Sequence, residues 1–193
     1  MEELTKLLNI AYNKIRPARG KILISQPLMM DGCFHRSVVL LTEYSKKCAV
    51  GFILNKILPI SLEDIMEDFP DCEANLTIGG PVSFNTLHYL HTFENIPGAI
   101  EIVEGVYWGG DLETLRQVSD LGLREGKMRY FLGYSGWVGN QLDEELEKNS
   151  WLVADVSASQ IINPSQDLWE DVVQSMGEQY RHWMEFPEDP GMN

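Results

Sequence analysis

Hydrophobic positions in this chain change their period several times, and each change marks an element. Near the start, Leu4, Leu7, Leu8, Ala11 and Ile15 fall three or four apart. This spacing predicts an amphipathic helix over residues 3–15, ended before Pro17. KILIS (21–25) reads as a strand stopped by Pro27. SVVLLTEY (37–44) and CAVGFILN (48–55) are almost continuously apolar and are separated by a short polar turn. They predict an antiparallel hairpin with both faces covered. SLEDIMEDF (61–69) predicts a helix with Ser61 as N-cap, Asp64 three residues on and Pro70 after its end.

The pattern then becomes short and strand-like. LTIGGP (76–81) is a strand entering a tight turn, and TLHYLH (86–91), AIEIV (99–103) and VYWG (106–109) are further short strands. DLETLRQVSDLG (111–122) is helical, with Leu112, Leu115, Val118 and Leu121 inward and Gly122 as its stop. MRYFLGYS (128–135) is a buried strand, NQLDEELEK (140–148) a short helix capped by Asn140, and WLVADV (151–156) a strand. A last helix is expected over residues 166–186, with Leu168, Val172, Val173, Met176, Tyr180 and Trp183 on one face, and residues 187–193 form a loose tail. Strands and helices mix without regular βαβ alternation, so the class is α+β.

Composition narrows the function classes. The 193 residues suit one domain, and 44% hydrophobic with 23% charged is an ordinary globular mix. No run approaches eighteen apolar residues, so no membrane span is expected. The N-terminus lacks the basic and apolar regions of a secretory signal. Cys33, Cys48 and Cys72 are odd in number and fit no zinc spacing, which points to reduced thiols in a cytoplasmic protein without a metal or other cofactor. A net charge of −14 repels a phosphate backbone, so direct nucleic-acid binding is not expected.

Two stretches concentrate unusual residues. The first is GYSGWVGNQLDEEL (133–146). Gly133 and Ser135 begin a nucleophile elbow, G-x-S-x-G, but Trp137 stands where the last glycine must be. The glycines at 133, 136 and 139 otherwise permit a tight strand-to-helix turn. Asp143, Glu144 and Glu145 crowd the start of the helix and disfavour an anion there. The second stretch is MMDGCFHRSV (29–38), where His35 and Arg36 could lower the pKa of Cys33. The plainer reading packs Cys33 as a small apolar residue and pairs Arg36 with a carboxylate. His88 and His91 sit three apart on a strand and so point to opposite faces, which argues against joint metal ligation.

PLMMDGCFHRSVVLLTEY, GFILN, IGGPV and FLGYSGWVGNQLDEELEKNSWL, in that order, resemble the YqgE/AlgH family of small bacterial proteins. The resemblance spans residues 20–185. The last block is the most specific, close to the family pattern G-Y-A-G-W-x-x-G-Q-L-E-x-E-I-x-x-N-x-W. This chain keeps Gly133, Tyr134, Gly136, Trp137, Gln141, Leu142, Glu145, Asn149 and Trp151. It departs at Ser135 for alanine, Asn140 for glycine and Lys56 for arginine, and Cys33 is not a family trait. The resemblance implies a bifurcated, mostly antiparallel sheet folded into a pseudo-barrel with peripheral helices. It implies no established enzymatic activity. The transcriptional-regulator label attached to the family does not imply DNA contact.

These readings lead to the expectation of a non-enzymatic regulatory or binding protein, a monomer or weak homodimer, with an unknown protein or small molecule as partner. Its recognition surface is expected to combine Arg36, Asn55, Gly79, Gly80, Pro81, Tyr134, Gly136, Trp137 and Gln141. Tyr134 and Trp137 would be apolar anchors, and Asn55 and Gln141 hydrogen-bonding groups. The alternative is a hydrolase or thiol-dependent enzyme working in a cleft near Cys33 or Ser135.

Overall fold

The structure, a computed structural model, describes residues 15–62, 64, 75–120 and 128–187. The expected helix over 3–15 (apart from Ile15), most of that over 61–69, the end of that over 111–122, and the tail from 188 lie outside the described residues.

Ten strands are described: β1 (Ile22–Ser25), β2 (Val38–Tyr44), β3 (Cys48–Ile53), β4 (Ile57–Ser61), β5 (Asn75–Ile78), β6 (Val82–His91), β7 (Ile100–Val103), β8 (Val106–Trp108), β9 (Met128–Val138) and β10 (Trp151–Ala154). The helices are α1 (Leu112–Asp120), α2 (Gln141–Glu147), α3 (Ala158–Ile162) and α4 (Leu168–Ser175), followed by a 3-10 segment, Glu178–Glu185. The main path of the sheet runs β10-β1-β2-β3-β9-β6-β8-β7. Its ladders are antiparallel, and the parallel pairing of β5 with β9 is the exception.

The bifurcation sits on β9. Its first half, Tyr130 to Leu132, pairs with β5 on one edge and β6 on the other. Its second half, Ser135 to Val138, pairs with β3. One long strand thus carries two branches of sheet, with β4 extending the β5 branch. No described ladder joins β7 to β10, so the sheet is not closed by hydrogen bonds.

Alternation decides the two faces. Ile22, Ile24, Val38, Leu40, Phe52 and Leu54 face α3, α4 and the 3-10 segment, which contribute Ile161, Trp169, Val173 and Trp183. Leu23, Val39, Leu41 and Ile53 face the other way, against Trp137, Leu142 and Leu146. Both faces of the β2–β3 hairpin are therefore covered, as its apolar run required.

Several boundaries differ from the sequence expectation. β9 continues through Gly136 and Trp137 to Val138, so the glycine–aromatic stretch is strand and the turn comes at Gly139–Asn140. Asn140 precedes α2 but makes no side-chain cap hydrogen bond. β4 was hidden by Pro59, which an edge strand tolerates. β6 begins four residues early. Its register shifts between Val82 and Leu87, and this irregularity masks the alternation. The single last helix is instead α4 and a 3-10 segment, broken at Gly177, whose φ of 113° no helix accommodates. α3 is a short addition, fixed by a capping box between Ser157 and Gln160.

Arg129 on β9 joins the branches. It is 7% exposed. Its Nη1 donates to the Ile161 carbonyl at 2.8 Å, and its Nη2 to the Leu54 carbonyl at 2.8 Å and Thr77 Oγ1 at 2.9 Å. The guanidinium also lies over the Phe131 ring, 5.0 Å from its centroid. Burial draws its pKa down to about 10, which still leaves it charged at neutral pH. Arg129→Leu strands three acceptors at once. It is expected to lower stability by roughly 3 kcal/mol, measured as the shift in urea unfolding midpoint; an unchanged midpoint would show that the three acceptors find other donors.

Candidate functional site

The first candidate stretch is built around one carboxylate. Glu145 on α2 accepts from Trp137 Nε1 at 2.9 Å and from Trp151 Nε1 at 2.8 Å, both on Oε2. Its Oε1 accepts from Gln141 Nε2 at 3.0 Å. The two indoles meet edge to face at 5.9 Å, and Phe34 packs against both. Tyr44 donates to Asp143 at 2.6 Å and ties the same helix to β2. Two buried N–H groups need acceptors, and one carboxylate supplies both while orienting α2 on the sheet. Trp137 is only 3% exposed and belongs to the core.

Ser135 is fully buried and donates to the Gly79 carbonyl at 3.0 Å. It has no access to a substrate, so the cleft expected near it is not a serine-nucleophile site. The hydrogen bond belongs to a close crossing of backbone segments. A Cβ on Gly79 would lie 2.2 Å from the Gly133 carbonyl oxygen, and one on Gly80 2.3 Å from the Ser135 nitrogen. Only glycine fits at either position. Tyr134 is half-buried, with its ring edge-on to His88 at 5.8 Å. Pro81, Gly136 and Gln141 are exposed.

The second stretch forms a different kind of site. Asp31 Oδ1 accepts from the Cys33 amide at 2.9 Å, and the Asp31 carbonyl accepts from those of Phe34 at 3.0 Å and His35 at 2.8 Å. This Asx-type turn delivers Arg36 in the left-handed region, with φ of 44°, unusual for a non-glycine residue. Asn55 holds it there. Its Nδ2 donates to the Arg36 carbonyl at 2.8 Å and its Oδ1 accepts from the Val38 amide at 2.9 Å. The Arg36 guanidinium donates to Glu170 at 2.9 Å and to the Phe186 carbonyl at 2.6 Å, and stacks on Trp169. Arg36 does pair with a carboxylate, as the plainer sequence reading had it.

Three polar groups of this turn stand out. His35 Nε2 and Ser37 Oγ are buried without a hydrogen-bond partner. The Cys33 thiol is pushed above its usual range, mainly by burial and then by Asp31, with Lys56 acting the other way. This is the direction of the plainer reading, in which Cys33 packs as a small apolar residue, and not of the activation that His35 and Arg36 could have given: the loss of water and the Asp31 charge both disfavour the thiolate. Lys56, which the sequence reading singled out only as a departure from the family pattern, is half-buried and lies near Cys33, Glu170 and Arg36. Burial draws its pKa below the usual lysine range. Glu170 also went unnoticed, since nothing in its local pattern announces a partner 134 positions away.

The structure therefore separates the expected recognition residues. Arg36 and Asn55 meet at the Asp31–Ser37 turn. Gly79 and Gly80 serve the crossing under Ser135, and Trp137 and Gln141 serve the Glu145 network. Phe34, packed on Trp137 and Trp151, is the link between the two stretches. His88 and His91 keep separate surroundings, the first among Phe52, Trp108 and Tyr134, the second beside Phe93 and Tyr107. Burial lowers both pKa values.

Two outcomes follow from this geometry. Trp137→Ala removes a core ring and is expected to cost about 3–5 kcal/mol, while Glu145→Gln, which keeps the shape, is expected to cost about 1 kcal/mol. Denaturant unfolding of both variants measures the difference, and a fully stable Trp137→Ala protein would return that ring to the list of surface anchors. At neutral pH the Cys33 thiol is expected to react with iodoacetamide more slowly than free cysteine, with Cys33→Ser as the control, and Lys56→Met is expected to slow it further. A fast-reacting Cys33 would revive the thiol chemistry.

A family model described as AlgH-like matches residues 22–181. A UPF0301 protein of Bacteroides thetaiotaomicron is 40% identical over 190 residues, covering 97% of each chain. One of Cytophaga hutchinsonii is 40% identical over 180 residues, covering 91% of this chain and 98% of its own. Among solved structures, a Corynebacterium diphtheriae protein superposes with a TM-score of 0.76 at 22% identity, over 91% of this chain and 96% of that one. The AlgH protein of Pseudomonas aeruginosa superposes with a TM-score of 0.68 at 22% identity, over 85% and 94%. At such identities the two structures speak for the fold alone, and they share the α+β architecture found here. A match that runs from β1 into the 3-10 segment, with relatives aligned along nearly their whole length, settles the kinship that the glycine–tryptophan block pointed to: the chain belongs to the AlgH-like family.

Proposed function

We propose that this protein is a non-enzymatic binding protein of the bacterial cytoplasm, with a regulatory role exerted through a partner and not through direct DNA contact. Its recognition surface is the Asp31–Ser37 turn, with Met29 and Met30 leading into it and Asn55 and Lys56 beside it. One observation carries the reading. Met30 is 88% exposed at the entrance of a turn that is otherwise tightly held by Asp31, Asn55 and Arg36. A rigid scaffold presenting a free apolar side chain has little conformational entropy to lose on binding.

The argument against catalysis is chemical. The two nucleophiles the sequence offered are both unactivated, Ser135 by burial and a bond to Gly79, Cys33 by a raised pKa. The net charge of −14 disfavours contact with DNA. Free Cys33 and Cys48 suit a reducing compartment, and no helix among the described residues is long and apolar enough to cross a membrane. In this reading Arg36 and Asn55 shape the surface. Pro81, Tyr134 and Gly136 form a separate secondary patch, and Gly79, Gly80, Trp137 and Gln141 hold the supporting fold.

The test is capture from native lysate of the source bacterium with wild type, Met30→Asp and, as a control on another exposed apolar side chain, Val138→Asp. A partner or co-purifying small molecule lost with Met30→Asp and kept with Val138→Asp is the expected result. Equal retention by all three folded proteins would overturn the choice of surface.

A further inference from the structure

We propose that Met30 is a reversible oxidation site: a peroxide converts its thioether to the sulfoxide and so removes the free apolar side chain from the Asp31–Ser37 surface. The effect on binding rests on that turn being the recognition surface.

The methionines of this chain are not alike. Met30 is 88% exposed and belongs to no core cluster of the described residues. Met29, its neighbour, packs against the cluster that holds Leu23, Trp137 and Trp151. Met128 packs against two clusters, and its sulfur accepts from the Tyr130 hydroxyl at 3.5 Å. Met176 and Met184 rest on the cluster that holds Trp169 and Trp183. All four are half-buried. Oxidation follows access to the sulfur, and among the described methionines Met30 alone offers it openly.

The step balances without help from the protein. A sulfur lone pair attacks one peroxide oxygen. The S–O bond forms as the O–O bond breaks, and the sulfur is oxidised by two electrons. The departing hydroxide takes the proton left on the transferred oxygen and leaves as water. Solvent around an exposed side chain relays that proton, and a packed sulfur lacks the relay. The return needs a dithiol, which becomes a disulfide while a methionine sulfoxide reductase removes the oxygen as water.

The consequence follows from how the turn is held. A flexible apolar thioether becomes a polar group, and the apolar contact it offered is lost. The turn cannot hide the change, because Asp31, Asn55 and Arg36 fix its course and Phe34 seats it on Trp137 and Trp151. Nor does the fold register it, since Met30 lends no packing to a core. Met29 is the reverse. A sulfoxide there sets a dipole against the Trp137–Trp151 cluster and weakens the fold. Of two adjacent methionines, one fastens the turn and the other is presented by it, so binding and stability are separable at Met30.

The experiment treats the full chain with hydrogen peroxide, quenches with catalase, and follows each methionine by peptide mass mapping. Met30 sulfoxide is expected to form at least about tenfold faster than sulfoxide at Met29, Met128, Met176 or Met184. Methionine sulfoxide reductases of both epimer specificities, with dithiothreitol, are expected to reverse it. The thermal unfolding midpoint is expected to stay unchanged while Met30 is the oxidised residue. Lysate capture is then repeated with wild type, Cys33→Ser and Met30→Leu, which keeps an apolar side chain without an oxidisable sulfur. Peroxide is expected to abolish capture by wild type and Cys33→Ser and to spare Met30→Leu. Oxidation of Met30 no faster than that of the packed methionines, or equal loss of capture by Met30→Leu, would overturn the proposal. If Met30→Asp loses its partner while wild type oxidised at Met30 keeps it, the recognition surface stands and the switch falls. If Met30→Asp keeps every partner while Met30 oxidises selectively and reversibly, the surface falls and the modification site stands.

Discussion

A buried guanidinium without a described carboxylate partner is the constraint on which the arrangement of this fold turns. Arg129 cannot be neutralised by giving up its proton at neutral pH, and burial is what lowers its pKa. Its charge must be met by dipoles. The carbonyls of Leu54 and Ile161 and the hydroxyl of Thr77 meet it, and they come from the residue just after β3, the short helix α3 and β5. Those are segments that no common ladder holds together. A bifurcated sheet has a weak point where its two branches part, because the backbone there has no neighbour of its own kind. Arg129 stands on the strand from which both branches spring, and its fork of donors spans the gap.

The same geometry explains the glycines. Where β9 passes from the β5 branch to the β3 branch, Gly79 and Gly80 lie against Gly133 and Ser135 closer than any Cβ permits. Ser135 uses its hydroxyl to satisfy the Gly79 carbonyl at this crossing. Just beyond, Trp137 enters the second core, and Glu145 receives its N–H together with that of Trp151. The family's most specific block is thus a continuous structural device, from the crossing glycines to the helix that seals the sheet.

Much of this was legible in the sequence, for identifiable reasons. The β2–β3 hairpin announced itself because apolar runs of that length with a polar turn between them have few other solutions. The α+β class followed from the absence of βαβ alternation. Ser135 could be doubted as a nucleophile from Trp137 alone. What stayed hidden was non-local. That Trp137 is core and not surface depends on Glu145, eight positions on, and on Phe34, about a hundred positions earlier. Arg129 reads as one charged residue in an apolar strand until the carbonyls around it are known. Lys56 reads only as a departure from arginine, since sequence spacing does not reveal the company of Cys33, Glu170 and Arg36 around it. The long β9 was cut short because glycine weakens a strand on average, and here it is required by what packs against it.

The two stretches that first drew notice divide the work of the molecule between them, and Phe34 is the hinge of that division. Its ring rests on Trp137 and Trp151, so the turn that begins at Asp31 is seated on the Glu145 network and not on solvent. The turn's other end is tied through Arg36 to α4 and to the carbonyl that follows the 3-10 segment. A loop fastened at both ends to opposite faces of one sheet cannot fold back to cover its own polar groups. His35 Nε2 and Ser37 Oγ are left unsatisfied by that rigidity and not by looseness. In a flexible loop, unpaired groups would relax into water. Here the fold holds them in place, which is the condition under which a binding site is organised before its ligand arrives.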